Sequence, residues 1–134
     1  MNILEALNKG SSILKKNNIK SPELDSEILL SEIIKKDRKF LILNCEKKLE
    51  KKSLENFDDF ISQRSKGKPI AYLTKKKNFW KEIFKISSDV LIPRPETEII
   101  IEEVLRFTKH KKNLRVLDIG VGSGCILLSI LKEK

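Results

Sequence analysis

The sequence has very few of the residues that usually hold metals or form covalent cross-links. Its 134 residues include two cysteines, one histidine and one tryptophan. Cys45 and Cys125 lie far apart in the chain, so neither a disulfide framework nor a metal site is predicted. Such cysteine usage is typical of a reducing compartment, and we therefore expect a cytoplasmic protein.

A long apolar run is also missing. No stretch of about 18 apolar residues occurs, so no membrane-spanning helix and no membrane partner are predicted. The N-terminus, Met1-Asn2-Ile3-Leu4-Glu5, has no basic segment followed by an apolar core, and we predict no signal peptide. With 40% hydrophobic and 35% charged residues, the composition is that of one or two small soluble domains.

The net charge of +9 raises the question of nucleic-acid binding, but no basic arm is present. Residues 1–69 carry 15 basic and 11 acidic side chains, and residues 70–134 carry 13 and 8. Nearly all the excess is lysine, and it is spread along the chain. We therefore predict a solvated lysine-rich surface rather than direct nucleic-acid binding.

Residues 1–68 are predicted to form a helical bundle. Apolar residues recur at helical spacing in four segments: 3–14, 22–36, 38–44 and 51–66. Ser21 is a good N-cap with Pro22 at the first helical position, whereas Gly10-Ser11-Ser12 is expected to weaken the first helix. The simplest interpretation of four acids is a solvated face: Asp25, Glu27, Asp58 and Asp59. Because the bundle offers no convergent catalytic groups, it is interpreted as a substrate-docking module.

Residues 69–92 are predicted to form a hairpin linker. The segment 67–74 breaks the helical pattern, and residues 78–86 alternate in the manner of two strands with a turn near Lys81-Glu82. Three aromatic side chains lie here: Phe79, Trp80 and Phe84. Packing between two domains is favoured for them over a stacking platform for nucleic acid.

Residues 93–134 are predicted to begin a second domain of the α/β type. Two prolines hold the turn at 93–95, and Pro95 is placed to start a helix. The run Leu114–Ile119 indicates a buried parallel strand, and apolar residues at helical spacing follow from Ile126. Between strand and helix stands Asp118-x-Gly120-x-Gly122-x-Gly124, a loop that brings backbone N–H groups to a ligand at a helix N-terminus.

The glycine loop meets neither of two common nucleotide patterns. The dinucleotide fingerprint G-x-G-x-x-G and the phosphate loop ending in Gly-Lys-Ser/Thr are both absent. The pattern resembles motif I of S-adenosylmethionine-dependent methyltransferases. The alternative is a strand-to-helix turn with no ligand.

Five segments together resemble the release-factor glutamine methyltransferases (the HemK/PrmC family), and they cover nearly the whole chain. They are Ser21-Pro22…Asp25…Glu27-Ile28-Leu29-Leu30, Pro69-Ile70-Ala71-Tyr72-Leu73-Thr74, Phe79-Trp80, Leu91-Ile92-Pro93-Arg94-Pro95-Glu96-Thr97-Glu98 and Val116–Gly124. The Ile-Pro-Arg-Pro-Glu-Thr-Glu segment is far more specific than the glycine loop.

The resemblance implies an α + α/β protein: a helical bundle, a hairpin linker and the start of a Rossmann-like methyltransferase domain. Family members methylate the side-chain amide nitrogen of the glutamine in the Gly-Gly-Gln loop of a peptide release factor, which the bundle docks. Carried over by position, nine residues would bind S-adenosylmethionine: Asp118, Gly120, Val121, Gly122, Ser123, Gly124, Arg94, Pro95 and Thr97.

The sequence departs from the family in one respect. The family's catalytic Asn-Pro-Pro-Tyr motif, and the acid that holds the ribose, would lie beyond Lys134, so no catalytic residue is assigned. We expect a truncated, inactive form of the enzyme in which residues past about 110 are loosely held or prone to association. The alternatives are a ribosomal-protein glutamine methyltransferase, a nucleic-acid amino-methyltransferase, or a non-enzymatic module that binds the release factor or the ribosome.

Overall fold

A computed structural model describes all 134 residues, which form two compact units, residues 1–74 and residues 75–134. The first unit consists of five helices: α1 (Ile3–Lys16), α2 (Pro22–Ile34), α3 (Arg38–Leu43), α4 (Lys51–Ser65) and α5 (Ile70–Thr74). The second unit contains β1 (Lys76–Phe79), β2 (Glu82–Lys85), a 3₁₀ turn (Pro95–Thr97), α6 (Glu98–Phe107) and α7 (Cys125–Glu133). None of these helices is both long and apolar enough to cross a bilayer.

Helix α1 runs without a break through Gly10-Ser11-Ser12, where the sequence predicts a weak segment. A capping box starts the helix: Asn2 Oδ1 accepts from the Glu5 N–H at 2.8 Å, and Glu5 Oε2 accepts from the Asn2 N–H at 2.9 Å. Gly10 is buried where α1 packs against its neighbours. A Cβ placed there would lie 2.8 Å from Phe57 Cζ and 2.8 Å from Ser26 Oγ. The glycine allows this close approach, and tertiary packing outweighs its low helix propensity.

The core of the first unit is contributed by all five helices. Leu73 of α5 contributes to it. Its fully buried members come from α1, α2, α3 and α4: Ile3, Ala6, Leu14, Leu29, Leu30, Leu41, Phe57 and Ile61. Helix α2 begins at Pro22 as predicted, although the Ser21 side chain makes no capping bond. The predicted bundle is confirmed.

One acid in the bundle is part of the interior, which corrects the prediction of a solvated face. Asp25 is only 7% exposed, and its Oδ2 accepts from Arg64 Nε at 2.7 Å. The same guanidinium donates to the carbonyl oxygen of Lys68 at 3.1 Å. This pair links α2 to the end of α4. Removal of either partner would leave a buried charge uncompensated.

The linker differs from its prediction at its start. Residues 70–74 do not break the helical pattern but form α5, which begins after Pro69, and Ala71 and Leu73 are buried. The hairpin follows, with Phe79 opposite Glu82 and Lys76 opposite Lys85. Its turn is therefore Trp80-Lys81, one residue before the predicted position, and Trp80 has a left-handed φ of 55°.

No strand forms at Leu114–Ile119, so that prediction is wrong for this chain. A strand requires a neighbour for its N–H and C=O groups, and the hairpin is the one sheet in the structure. The apolar side chains of the segment are consequently exposed, Leu117 to 84% and Ile119 to 88%. The following helix α7 is formed as predicted.

Candidate cofactor-binding site

The glycine loop adopts the left-handed backbone that its sequence indicates. The φ angles are +83° at Gly120, +55° at Gly122 and +75° at Gly124. A Cβ at Gly120 would meet no atom within 4 Å, and one at Gly122 would meet only the Gly120 carbonyl oxygen at 3.8 Å. The backbone conformation, rather than crowding within the chain, therefore requires glycine at these two positions.

The loop leads directly into the N-terminus of α7. Gly124 is the N-cap, and its N–H donates to the Val121 carbonyl oxygen at 2.8 Å, which closes the turn. The N–H groups of Gly122 and Ser123 donate no hydrogen bond within the chain. Free N–H groups next to the positive end of a helix favour a ligand with acceptor oxygens.

Asp118 supplies an acceptor at the start of the same loop. Its Oδ2 atom is buried and has no hydrogen-bond partner in the chain. An unsatisfied buried carboxylate oxygen is costly and unusual. The residue is therefore suited to accept a hydrogen bond from a ligand's amino or hydroxyl group.

Helix α7 is held in place by a core beneath the loop. Cys125, the first residue of α7, packs with Ile130 of the same helix, Phe79 of β1 and Ile101 of α6. The Phe84 ring meets the Phe79 ring edge-on, with centroids 6.2 Å apart. The aromatic residues of the hairpin thus serve as packing groups within the second unit.

Two glutamates fix the hairpin turn. Glu98 accepts from the Trp80 backbone N–H at 2.7 Å, and Glu133 accepts from the Trp80 indole N–H at 2.7 Å. The Lys81 ammonium lies 2.5 Å from the same Glu133 oxygen. Hydrogen bonds from Lys81 and Trp80 lower the pKa of the Glu133 carboxyl below its ordinary value. These contacts could not be predicted from the sequence, because only the fold brings Trp80 close to Glu98 and Glu133.

The second part of the predicted site, the turn at Arg94-Pro95-Thr97, lies at the start of α6. Pro95 opens the 3₁₀ turn, and the Thr97 N–H donates to the Arg94 carbonyl oxygen at 3.1 Å. Arg94 is exposed and Thr97 half-buried. No hydrogen bond joins this turn to the glycine loop, and the joint role predicted for the two segments stays a prediction.

A helical bundle followed by a hairpin and a glycine loop is the arrangement of the N-terminal part of a methyltransferase with a separate helical domain. Comparison with known proteins identifies the family. Residues 5–74 match the model of the PrmC N-terminal domain. The chain belongs to this family.

Similarity to curated proteins extends through both units. Over 132 residues the chain is 46% identical to a protein of Clostridium acetobutylicum named release factor glutamine methyltransferase. The aligned region covers 98% of the chain and 46% of that protein. Proteins of the same name from Leptospira interrogans and Buchnera aphidicola subsp. Baizongia pistaciae are 43% and 41% identical, over 96% and 94% of the chain and 45% and 46% of their own lengths. The chain thus spans about half the length of the curated relatives it matches.

Proposed function

We propose that this chain is part of an S-adenosylmethionine-dependent methyltransferase of the cytoplasm that modifies the glutamine side-chain amide in the Gly-Gly-Gln loop of peptide release factors. The observation that carries the proposal is that the similarity to proteins named release factor glutamine methyltransferase spans the bundle and the glycine loop together. A match to the bundle alone would not indicate which reaction the protein catalyses.

The proposal gives each unit a role. The bundle, residues 1–68, docks the release factor, and residues 93–134 begin a Rossmann-like domain that holds the cofactor. Its unpartnered Asp118 oxygen and the free N–H groups of Gly122 and Ser123 support such a ligand. By family resemblance Gly120, Val121 and Gly124 complete the loop, and Arg94, Pro95 and Thr97 cover the same site.

Methylation of an amide is mainly a problem of positioning. The nitrogen lone pair is delocalised, so the nitrogen is a weak nucleophile that must be held close and in line with the methyl group. When bound, S-adenosylmethionine supplies that methyl group on a sulfonium. In the family an Asn-Pro-Pro-Tyr motif holds the amide, and this sequence contains no such motif. We therefore expect the 134 residues to bind the release factor without transferring a methyl group to it.

Calorimetric titration of the chain with the release factor of the same organism tests the docking role. We expect saturable binding that persists when the glutamine of the Gly-Gly-Gln loop is replaced by alanine, because the bundle contacts surfaces other than the modified side chain. Binding to a ribosomal protein in place of the release factor would favour the ribosomal-protein alternative. No binding to either would contradict the docking role of the bundle.

A further inference from the structure

The first unit has a cleft of about 340 Å³ at the end of α2, beside α3. Its lining includes apolar side chains, among them Ile34 of α2 and Phe40 of α3. Three lysines, called the rim below, also line it: Lys36, Lys47 and Lys48. Glu50 is the one acidic side chain in the lining. The cleft thus combines apolar side chains with a predominantly positive set of charged ones.

The lysines of the rim are not neutralised by the protein. Lys36 Nζ and Lys47 Nζ lie 5.6 Å and 5.4 Å from the centroid of the Phe40 ring, and neither lysine nor Lys48 forms a salt bridge. Each ammonium group is attracted to the ring. A carboxylate that bound either lysine would neutralise a charge that the protein leaves unpaired.

The segment that contains the three lysines of the cleft is rich in basic residues, although Lys35, Arg38 and Lys51 pair with acids on neighbouring segments. Residues 35–52 carry eight basic and three acidic side chains, whereas the other residues of the unit carry seven basic and eight acidic ones. The even spread of lysine along the whole sequence conceals this local excess. Lys36, Lys47 and Lys48 are not among the paired residues, so the cleft presents unpaired positive charge that would attract an acidic partner.

The walls of the cleft are fixed by backbone hydrogen bonds. The Ile3 N–H donates to the Lys47 carbonyl oxygen at 3.1 Å, and the Leu49 N–H donates to the Met1 carbonyl oxygen at 3.2 Å. On the other side, Asp37 Oδ1 caps α3 by accepting from the Phe40 N–H at 2.8 Å. A preorganised cleft loses little conformational entropy when it is filled.

Apolar surface continues from the cleft along α3. Leu43 is 82% exposed and Ile42 69% exposed. Leu43 follows Phe40 by three residues and therefore lies next to it on the helix surface. Exposed leucine and isoleucine beside a cationic rim are suited to a partner that presents both apolar and acidic side chains.

We propose that this cleft docks an acidic segment of a protein partner, with carboxylates on Lys36, Lys47 and Lys48 and an apolar side chain against Phe40 and Leu43. The identification of that partner as the release factor rests on the proposed function. A nucleic acid is disfavoured because the lysines cover the Phe40 ring, no arginine lines the cleft, and the neighbouring surface is aliphatic.

The chemistry of the cleft is tested with the 134-residue chain by ¹⁵N-resolved NMR and a short peptide that alternates glutamate with leucine. We expect shifts confined to amides at the cleft, around residues 36, 40 and 47–49. Matched peptides with glutamine for glutamate, or serine for leucine, should bind at least about tenfold more weakly. Shifts elsewhere, equal binding of the neutral peptide, or the same shifts with oligouridine would overturn the proposal.

Charge reversal then tests the cleft against the release factor itself. The variant Lys36→Glu/Lys47→Glu/Lys48→Glu should bind the release factor about tenfold or more weakly, whereas Lys16→Glu/Lys20→Glu/Lys66→Glu, with the same change in charge away from the cleft, should bind almost normally. A Lys→Gln triple variant at the cleft, with circular dichroism for each protein, separates lost charge from lost folding.

The outcomes distinguish the cleft from the proposed function. If the triple variant at the cleft and the control triple variant weakened release-factor binding equally, the proposed docking at the cleft would be overturned, while the release factor would remain the partner. Peptide shifts at the cleft without any binding of the release factor would support the cleft and contradict the proposed partner.

Discussion

Gly10 is the position where a single methyl group would disturb the first unit most directly. In Gly10→Ala the new Cβ would lie 2.8 Å from Phe57 Cζ and 3.0 Å from Ile61 Cδ1, both on α4. Overpacking of this kind costs about 1–3 kcal/mol, partly offset by the better helix propensity of alanine. We expect a net loss of about 1–2 kcal/mol in the free energy of unfolding, measured by urea titration of the helical signal.

The matched control is Ser12→Ala in the same helix, because Ser12 is exposed. It should leave stability unchanged or raise it slightly, since alanine is the better helix former. Equal or increased stability of Gly10→Ala would show that α1 and α4 do not approach as closely as the structure places them.

A substitution at Gly122 tests whether the glycine loop binds the cofactor. Valine is strongly disfavoured at a φ of +55°, so Gly122→Val should distort the loop and its free N–H groups. We expect at least about a tenfold loss of S-adenosylmethionine affinity, which corresponds to roughly 1.4 kcal/mol. The measurement is calorimetric titration of a chimera in which residues 1–134 are followed by the remainder of the Clostridium acetobutylicum relative.

Gly67→Ala is the control in that chimera. Gly67 has a φ of +91° with open space around its Cβ position, so the variant carries similar backbone strain away from the loop. Its S-adenosylmethionine affinity should equal that of the parent chimera. Unchanged affinity in a folded Gly122→Val variant would contradict the assignment of the loop.

At the scale of elements, the hairpin is fastened to α7 through Glu133, and this contact should depend on pH. The folded pKa of Glu133 is lowered by Lys81 and Trp80. The contact therefore stabilises the unit above the pKa of an unfolded glutamate and is lost as the pH falls through the lower, folded value. Because Trp80 is the only tryptophan, its fluorescence should report this loss below about pH 4.3.

Glu133→Gln separates this event from other titrations. Glutamine keeps an acceptor oxygen for the indole N–H but has no charge, so the fluorescence change assigned to Glu133 should disappear. An identical acid transition in both proteins would show that another group controls the environment of Trp80.

Local signals explain which elements could be predicted from the sequence. Pro22 marks the start of α2, and apolar spacing indicates α3 and α4. The prediction of a strand at Leu114–Ile119 was wrong because a strand needs a neighbouring strand for its hydrogen bonds, and the structure contains none for this segment. Helix α5 was missed because Gly67 and Pro69 indicate a break, although Pro69 in fact precedes a new helix.

The backbone conformation of the glycine loop could be predicted because its signal is local, whereas contacts between residues far apart in the sequence could not. The glycine loop could be located from its own residues, and its positive φ angles agree with the pattern. The buried pair Asp25–Arg64 and the glutamates on Trp80 join residues far apart in sequence. Periodicity carries no information on such pairs, so they required the structure.

Across the whole molecule, protection of backbone amides should be uneven. The bundle has a continuous core, whereas residues 114–121 expose apolar side chains and make no ladder hydrogen bonds. Hydrogen exchange should be slow in residues 22–34 and fast in residues 114–121. The earlier expectation that everything after about residue 110 is loose is too broad, because Cys125 and Ile130 of α7 are buried in a core. Slow exchange throughout residues 114–121 would contradict this distribution.

The proposed function makes these residues the release-factor docking bundle and the cofactor loop of a glutamine methyltransferase. The most direct measurement is mass-spectrometric mapping of a release factor after incubation with S-adenosylmethionine and the chimera. We expect one added methyl group, on the glutamine of the Gly-Gly-Gln loop, and none when the 134-residue chain replaces the chimera. A methyl group at a different residue, or an active 134-residue chain, would contradict it.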